Sequence, residues 1–189
     1  MVTKGLDFDN VYLVGILDAD MLLNRPDFRA YERSYQLMSQ VAGRAGRQSK
    51  QGKVIVQTGD PDHWVLQLVG KHDYEQFYDS EIIERKNYHY PPFYKLIAIT
   101  LKHENLHALD GAAEHLAELL KIVFKERVIG PEYPIVQKIR NKYLKNVKIK
   151  IEKDAPDLKV KQKIKDIIDT FYTSADHKKI RVVIDVDPL

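Results

Sequence analysis

Apolar and polar positions in the first sixty residues follow a pattern that predicts strand, helix and strand. A near-continuous apolar run at 11–17 (VYLVGIL) predicts a strand buried on both faces of a parallel sheet. A polar, proline-containing loop follows, then a helix from about residue 28 to the glycines at 43 and 46, then a second strand over 53–58. This order predicts an α/β sheet with a right-handed crossover.

Two strands cannot enclose a core by themselves. We therefore expect the rest of this sheet to lie before Met1 or on another chain. Helices at 64–69 and 74–87 follow, and then two consecutive prolines, Pro91 and Pro92. Because these prolines remove two N–H donors and force an extended path, they predict a boundary between two domains, 1–90 and 91–189.

The second domain has a complete rhythm of its own. Its predicted elements are a strand (94–102), an amphipathic helix (105–124), two strands (134–140 and 144–152) joined by a polar turn at Asn141, a helix (157–171) and a last strand (180–186). The order βαββαβ predicts a split-βαβ, ferredoxin-like arrangement. The fold class is thus α/β followed by α+β.

Charge is concentrated in one part of the chain. The net charge of +3 is too small to indicate a nucleic-acid partner, but ten cations lie between Arg140 and Lys165 with few acids among them. Such a field attracts phosphate backbones. In the strand 147–151, Lys148 and Lys150 alternate with apolar residues, so we expect them on a wet, positive face opposite the core. A solvated lysine surface is the alternative.

Composition excludes several classes of protein. The chain is 44% hydrophobic and has no run near the roughly 20 apolar residues of a membrane span. Asp7 and Asp9 interrupt any signal peptide, and the absence of cysteine excludes disulfides and thiolate metal sites. The histidines have no metal-like spacing. These features predict a soluble, cytoplasmic protein without a metal site.

The octapeptide QVAGRAGR, residues 40–47, is the most informative motif. It places Arg44 and Arg47 three residues apart, near one face at the end of a helix. Gly43 and Gly46 allow close backbone approach, and the planar guanidinium suits charge on a transferring phosphoryl group. The alternative is a helix terminus whose cations face its negative end.

This octapeptide resembles motif VI of superfamily 2 helicases, and residues 3–8 (TKGLDF) resemble the end of motif V. Together with LDAD at 17–20, PDFRA at 26–30 and YPPF at 90–93, the chain resembles the primosomal protein N-prime family of replication-restart DNA helicases over its whole length. The resemblance implies the C-terminal part of a RecA-like second helicase lobe, then a basic domain that binds branched DNA.

The resemblance also implies a site for ATP with Mg²⁺, shared with a first lobe. Arg44 and Arg47 would be catalytic, and Gln40, Gly43, Gly5 and Asp7 would contact the nucleotide or couple it to the DNA. The family's phosphate-binding lysine loop is absent, since no G-x-x-x-x-G-K-[ST] occurs, and so are its zinc-binding cysteines. We therefore expect this chain alone to be inactive as an ATPase.

The candidate DNA contacts combine cations with one aromatic side chain on a hairpin, which suits phosphate contact plus stacking. They are Lys4, Arg140, Lys142, Tyr143, Lys145, Lys148 and Lys150. The expected partners are forked or single-stranded DNA, the first lobe, and other primosome and single-strand-binding proteins. A stand-alone nucleic-acid-binding module is the alternative function. For Asp18 and Asp20, turn chemistry is the favoured role.

Overall fold

The computed structural model describes residues 11–45 and 52–188, which fold into a mixture of helices and strands. The chain forms two compact units, one ending at Arg85 and the other beginning at Lys86. Each unit has a hydrophobic core of its own. Within the described ranges, none of the helices is both long enough and apolar enough to cross a membrane.

The first unit contains a two-stranded parallel sheet and helices. Its elements in chain order are β1 (Leu13–Ile16), α1 (Ala19–Leu23), α2 (Ala30–Ala42), β2 (Lys53–Val56), α3 (Trp64–Lys71) and α4 (Tyr74–Asn87), the last of which continues past the boundary. β1 and β2 pair in parallel from Leu13 opposite Lys53 to Ile16 opposite Val56. The predicted order of strand, helix and parallel strand is confirmed.

The expected burial of the first strand on both faces is wrong. Leu13 is 54% exposed and Leu17 is 79% exposed. The core lies instead among the helices, where Met38, Val65 and other apolar side chains are buried and Ile16 packs against them from the sheet. β1 has a strand neighbour in β2 only, among the described residues, so much of its apolar surface stays in contact with water.

The second unit is an antiparallel sheet with two long helices. Its elements are β3 (Tyr94–His103), α5 (Leu106–Phe124), β4 (Val128–Glu132), β5 (Lys138–Ile139), β6 (Lys142–Glu152), α6 (Asp157–Phe171) and β7 (Arg181–Val186). The strand order is β4–β6–β3–β7, and β5 also pairs with β6. Ile99 and Val147 of the sheet pack with Leu116 of α5 and Phe171 of α6 in one core.

One predicted strand of this unit is misplaced. Residues 134–140 were expected to be a strand, but the structure forms β4 earlier and keeps only the two residues of β5 from that range. Gly130 and Pro131 are residues that usually interrupt a strand. An edge strand tolerates proline, however, and the β4–β6 register shifts between Ile129 and Glu132 to accommodate these two residues. The edge position of β4 could not be read from the chain.

Candidate functional site

A tight β-hairpin presents the candidate DNA contacts of the second unit. Ile139 of β5 pairs with Lys142 of β6, which leaves Arg140 and Asn141 as a two-residue turn. Both have positive φ, 46° and 64°, as a type I′ turn requires. Arg140, Asn141 and Lys142 are exposed, so the turn predicted at Asn141 is confirmed and holds two cations at the tip.

Lys138 belongs to the same surface, although it was not among the predicted contacts. It pairs with Tyr143 across the hairpin, and its Nζ lies 4.5 Å from the centre of the Tyr143 ring. Lys138 had been assigned to a longer strand and was given no role. The sequence does contain an indication of this role: Lys138, Arg140 and Lys142 place a cation at every second position of one short segment.

Lys145 has a different environment from the other predicted contacts. Its side chain is 9% exposed, and its Nζ lies 2.6 Å from Oδ1 of Asp110 on α5. The same carboxylate accepts a hydrogen bond of 2.5 Å from the hydroxyl of Tyr133. The hydrogen bond from Lys145, more than any other contact, lowers the pKa of Asp110. The charge of Lys145 therefore ties β6 to α5 instead of pointing into solvent.

Lys148 and Lys150 lie on the face opposite the core, as their alternation with buried Val147, Ile149 and Ile151 predicted. The expectation that this face is wet and positive is wrong, because both side chains are half-buried and engaged. The Nζ of Lys148 lies 2.6 Å from Oε1 of Glu132. The Nζ of Lys150 donates to the carbonyl of Tyr88 at 2.6 Å and lies 3.6 Å from the centre of the Tyr90 ring. Burial lowers the pKa of Lys150.

The hairpin cations that remain exposed lie in a stretch without acidic residues. No Asp or Glu occurs between Glu132 and Glu152. We define the basic hairpin as residues 138–143, with Lys138, Arg140 and Lys142 as its exposed cations. A surface of this kind attracts phosphate oxygens. The expectation of an exposed aromatic on the hairpin is wrong, because Tyr143 is half-buried, packs against the core of the second unit and has Lys138 over its ring.

The predicted nucleotide motif lies at the end of α2, as far as residue 45. Gln40 is exposed in the last turn, Gly43 caps the helix, and its N–H donates to the carbonyl of Ser39 at 3.0 Å. Arg44 follows directly and is half-buried. Because Gln40 and Arg44 are four apart, they share one side of this turn. A carboxamide and a guanidinium are donors that suit a triphosphate.

Four predicted residues lie outside the described ranges: Lys4, Gly5, Asp7 and Arg47. Their roles stay predictions.

The two aspartates after β1 have structural partners, which are local for Asp18 and lie after β2 for Asp20. Asp18 caps α1, accepting the N–H of Met21 at 3.2 Å. Asp20 accepts hydrogen bonds from Thr58 Oγ1 at 2.5 Å and from the N–H of Gly59 at 2.7 Å, and the bond from Thr58 is the main cause of its lowered pKa. Asp18 thus has the predicted local role, whereas Asp20 joins α1 to the segment that follows β2. Over the described ranges, no group of three His, Asp or Glu side chains converges as metal ligands would.

Comparison with known protein families assigns the second unit. The family model described as "Primosomal protein N C-terminal domain" matches residues 86–189, which is more than half of the chain and coincides with the second unit. The class of protein defined by this domain is thus a primosomal one.

Curated relatives narrow the assignment, and each is a "Replication restart protein PriA". The protein of Bacillus subtilis (strain 168) is 38% identical over 190 residues, which cover 100% of this chain and 23% of the relative. That of Treponema pallidum is 36% identical over 100% of this chain and 28% of its own length. The protein of Borreliella burgdorferi is 33% identical over 97% of this chain and 28% of its own length. The chain belongs to the PriA family, and it spans about a quarter of the length of these relatives.

Proposed function

We propose that the chain is the C-terminal part of an ATP-dependent 3′-to-5′ DNA helicase that binds branched DNA and restarts stalled replication forks by primosome assembly. Family membership supports this proposal, and so does the exposed basic hairpin within the matched unit. In the cytoplasm, its partners would be forked or single-stranded DNA, the first helicase lobe, other primosome proteins and single-strand-binding protein.

The folds of the two units are consistent with this function. In the second unit, the order βαββαβ with strand order β4–β6–β3–β7 supports a ferredoxin-like assignment, with β5 a short additional strand paired with the third strand, β6. In the first unit, two parallel strands joined through α1 and α2 support part of a RecA-like lobe. The solvent-exposed surface of β1 is consistent with further strands being supplied by the rest of that lobe.

At the nucleotide, the residues of this chain would act together with a first lobe. Arg44 and Arg47 would stabilise negative charge on the terminal phosphate of ATP, whose Mg²⁺ the first lobe would hold. Gln40 and Gly43 would position the nucleotide, and Gly5 and Asp7 would couple its hydrolysis to movement of the DNA. Zinc would be held elsewhere in the full-length family.

The basic hairpin is tested by neutralising its tip. Replacing Arg140 and Lys142 together by Gln should weaken fork binding and reduce the slope of log affinity against log salt by about two, since each phosphate contact contributes about one. Equilibrium titrations with a forked DNA at several salt concentrations measure both quantities. The control removes two exposed lysines elsewhere, Lys121→Gln with Lys179→Gln. An unchanged slope in the hairpin variant would contradict the assignment.

The nucleotide role is tested in a full-length enzyme that contains both lobes. Arg44→Ala and Arg47→Ala should each lower DNA-stimulated ATP hydrolysis by about 10³-fold or more, as loss of an arginine finger does. Fork binding should stay near normal, because the basic hairpin is untouched. Retained ATPase activity in both variants would remove these two residues from the mechanism.

A stand-alone nucleic-acid-binding module is the second candidate function. It is favoured by one observation: the second unit contains its own core and the whole basic hairpin. Mixing this chain with a separately produced fragment that supplies the first lobe and the rest of the second lobe distinguishes the two functions. Restored ATP hydrolysis supports the helicase, whereas salt-sensitive DNA binding without any restored hydrolysis supports the module.

A further inference from the structure

Three aliphatic side chains beside the basic hairpin are unusually exposed. Ile135 is 71% exposed, Val136 is 56% exposed and Ile139 is 50% exposed. We call these three residues the aliphatic rim. Single exposed aliphatics are common, but three within five residues next to a functional surface indicate a contact for a partner.

The backbone around the rim is fixed at both ends. Tyr133, just before it, donates to the carboxylate of Asp110, and Lys145 lies 4.6 Å from the centre of the Tyr133 ring. Past the rim residues Ile135 and Val136, the carbonyl of Gln137 accepts the N–H of Leu144 at 2.8 Å. The rim is therefore held against β6 by contacts that do not use its own side chains.

A cation lies directly beside the apolar part of this surface. Ile139 pairs with Lys142 across the hairpin and Arg140 follows it at the turn, whereas Lys138 lies on the other face of the strand with Tyr143. Paired residues of an antiparallel ladder have their Cβ atoms about 5 Å apart, so the isoleucine and the lysine form one surface. A ligand that fits must offer apolar faces directly beside negative charge.

An unpaired base with its phosphates has this chemistry. The faces of a base are apolar and flat, and aliphatic side chains serve as wedges against them when a base step is unstacked. An anionic lipid surface also combines charge with apolar groups, but its binding scales with a large buried apolar area, and the rim has three side chains on a turn.

We propose that the aliphatic rim contacts bases that are unstacked at the branch point of forked DNA, while Arg140 and Lys142 contact the adjoining phosphates. This inference rests on the proposed function and adds the feature of the DNA that is recognised. The hairpin thereby distinguishes a branch point, where bases are accessible, from continuous duplex, where they are stacked.

The test measures how tightly the full chain, residues 1–189, binds two different DNAs. One is a fork with single-stranded arms, and the other is a closed circular duplex, which has neither ends nor unpaired bases. The variant Ile135→Ser with Val136→Ser and Ile139→Ser should bind the fork about tenfold more weakly, within the range for loss of a base-stacking contact. Its affinity for the circle should stay within about twofold, and its salt slope on the fork should stay unchanged because no charge is lost.

A matched control replaces exposed aliphatics elsewhere, Ile122→Ser with Leu158→Ser, which are 75% and 84% exposed. This control should bind both DNAs like the wild type, and circular dichroism should show all variants folded. Fork binding by the triple variant equal to wild type, or an equal loss on both DNAs, would overturn the inference. So would tighter binding of the wild type to phosphatidylserine vesicles than to the fork.

Failure of the inference is distinguishable from failure of the proposed function. If the wild type binds DNA and the Arg140→Gln, Lys142→Gln variant loses that binding while the triple serine variant does not, only the base contact is overturned. If the wild type binds neither DNA at any salt concentration, the proposed function is overturned as well.

Discussion

Lys145 is a cation of the kind that binds DNA phosphates, but its buried ion pair gives it a structural role. Its ammonium is nearly enclosed and depends on the carboxylate of Asp110. Replacing Asp110 by Asn should lower the free energy of unfolding of the second unit by about 1–3 kcal/mol, because the buried charge of Lys145 would lose its nearer carboxylate and keep only Glu114 at 3.9 Å. Urea unfolding measures this, with Asp169→Asn on the exposed side of α6 as the control.

The pH dependence should change in the same variant. Because the folded-state pKa of Asp110 is lowered, its contribution to stability is present above the ordinary carboxyl pKa of about 4 and is lost as the pH falls through the lower, folded value. Stability of the wild type should thus fall with acidification below about pH 4, and Asp110→Asn should reduce that fall. If the stability of the variant fell below about pH 4 as steeply as that of the wild type, this role for Asp110 would be contradicted.

At the level of single residues, the sequence predicts where a side chain lies along the chain better than what it meets. The exposed positions of Arg140 and Lys142 follow from a polar turn between strands. The pairing of Lys145 with Asp110 joins residues 35 positions apart, on a strand and a helix. Local pattern holds no information on such a contact, so Lys145 was grouped with the hairpin cations.

Among the elements, β4 depends on a glycine that its neighbours require. Gly130 has a φ of +100°, and a Cβ there would lie 2.8 Å from the carbonyl oxygen of Asn146 on β6. Gly130→Ala should therefore destabilise the second unit by more than about 1 kcal/mol. Thermal unfolding, followed by amide signals of β6, measures the change.

Gly111 provides the matched control for this substitution. It lies in α5, is exposed, and has open space where a Cβ would be added. Gly111→Ala should stabilise the unit by up to about 1 kcal/mol, since alanine is the better helix former. Equal effects of the two substitutions, in sign and size, would contradict the strained role of Gly130.

The longer helices of the second unit were predicted closely, and the short elements β4 and α1 were missed. α5 and α6 begin and end within a residue or so of the predicted bounds, because an apolar stripe and the cap at Asn105 define them. β4 was missed because Gly130 and Pro131 interrupt its pattern. α1 was missed because a five-residue helix, capped by Asp18, is too short to show a period.

For the whole molecule, the exposed apolar surface of the first unit should limit solubility. Leu13 and Leu17 are more than half exposed on and just after β1, and an apolar strand in contact with water favours association. The apparent mass in light scattering should therefore rise with concentration. Leu13→Lys with Leu17→Lys should suppress this rise, whereas Leu158→Lys on α6 should not. A wild type of constant monomeric mass would contradict the expectation.

From the prolines at 91 and 92 and the change of pattern, the sequence predicts a boundary between residues 90 and 91, whereas the compact units divide after Arg85, within α4. The exposure of the first strand could not be anticipated from the sequence. A continuous apolar run predicts burial, but whether it is buried depends on strands that the pattern of this chain does not contain. The family resemblance is confirmed over the whole length, since it rests on motifs and not on packing.

The pairing of β3 with β7 has a practical consequence for anyone attaching a probe to this protein. The N–H of Leu96 donates to the carboxylate of Asp187 at 2.9 Å, and the N–H of Asp187 donates to the carbonyl of Leu96 at 2.7 Å, so the residue that follows the last strand is held beside the start of β3. Ile97 pairs with both Val186 and Ile149, and seven residues of β6, about 23 Å, separate Ile149 from Lys142. A fluorophore fused after the last strand would therefore sit far from the hairpin tip, close enough for energy transfer yet too distant to obstruct a bound fork.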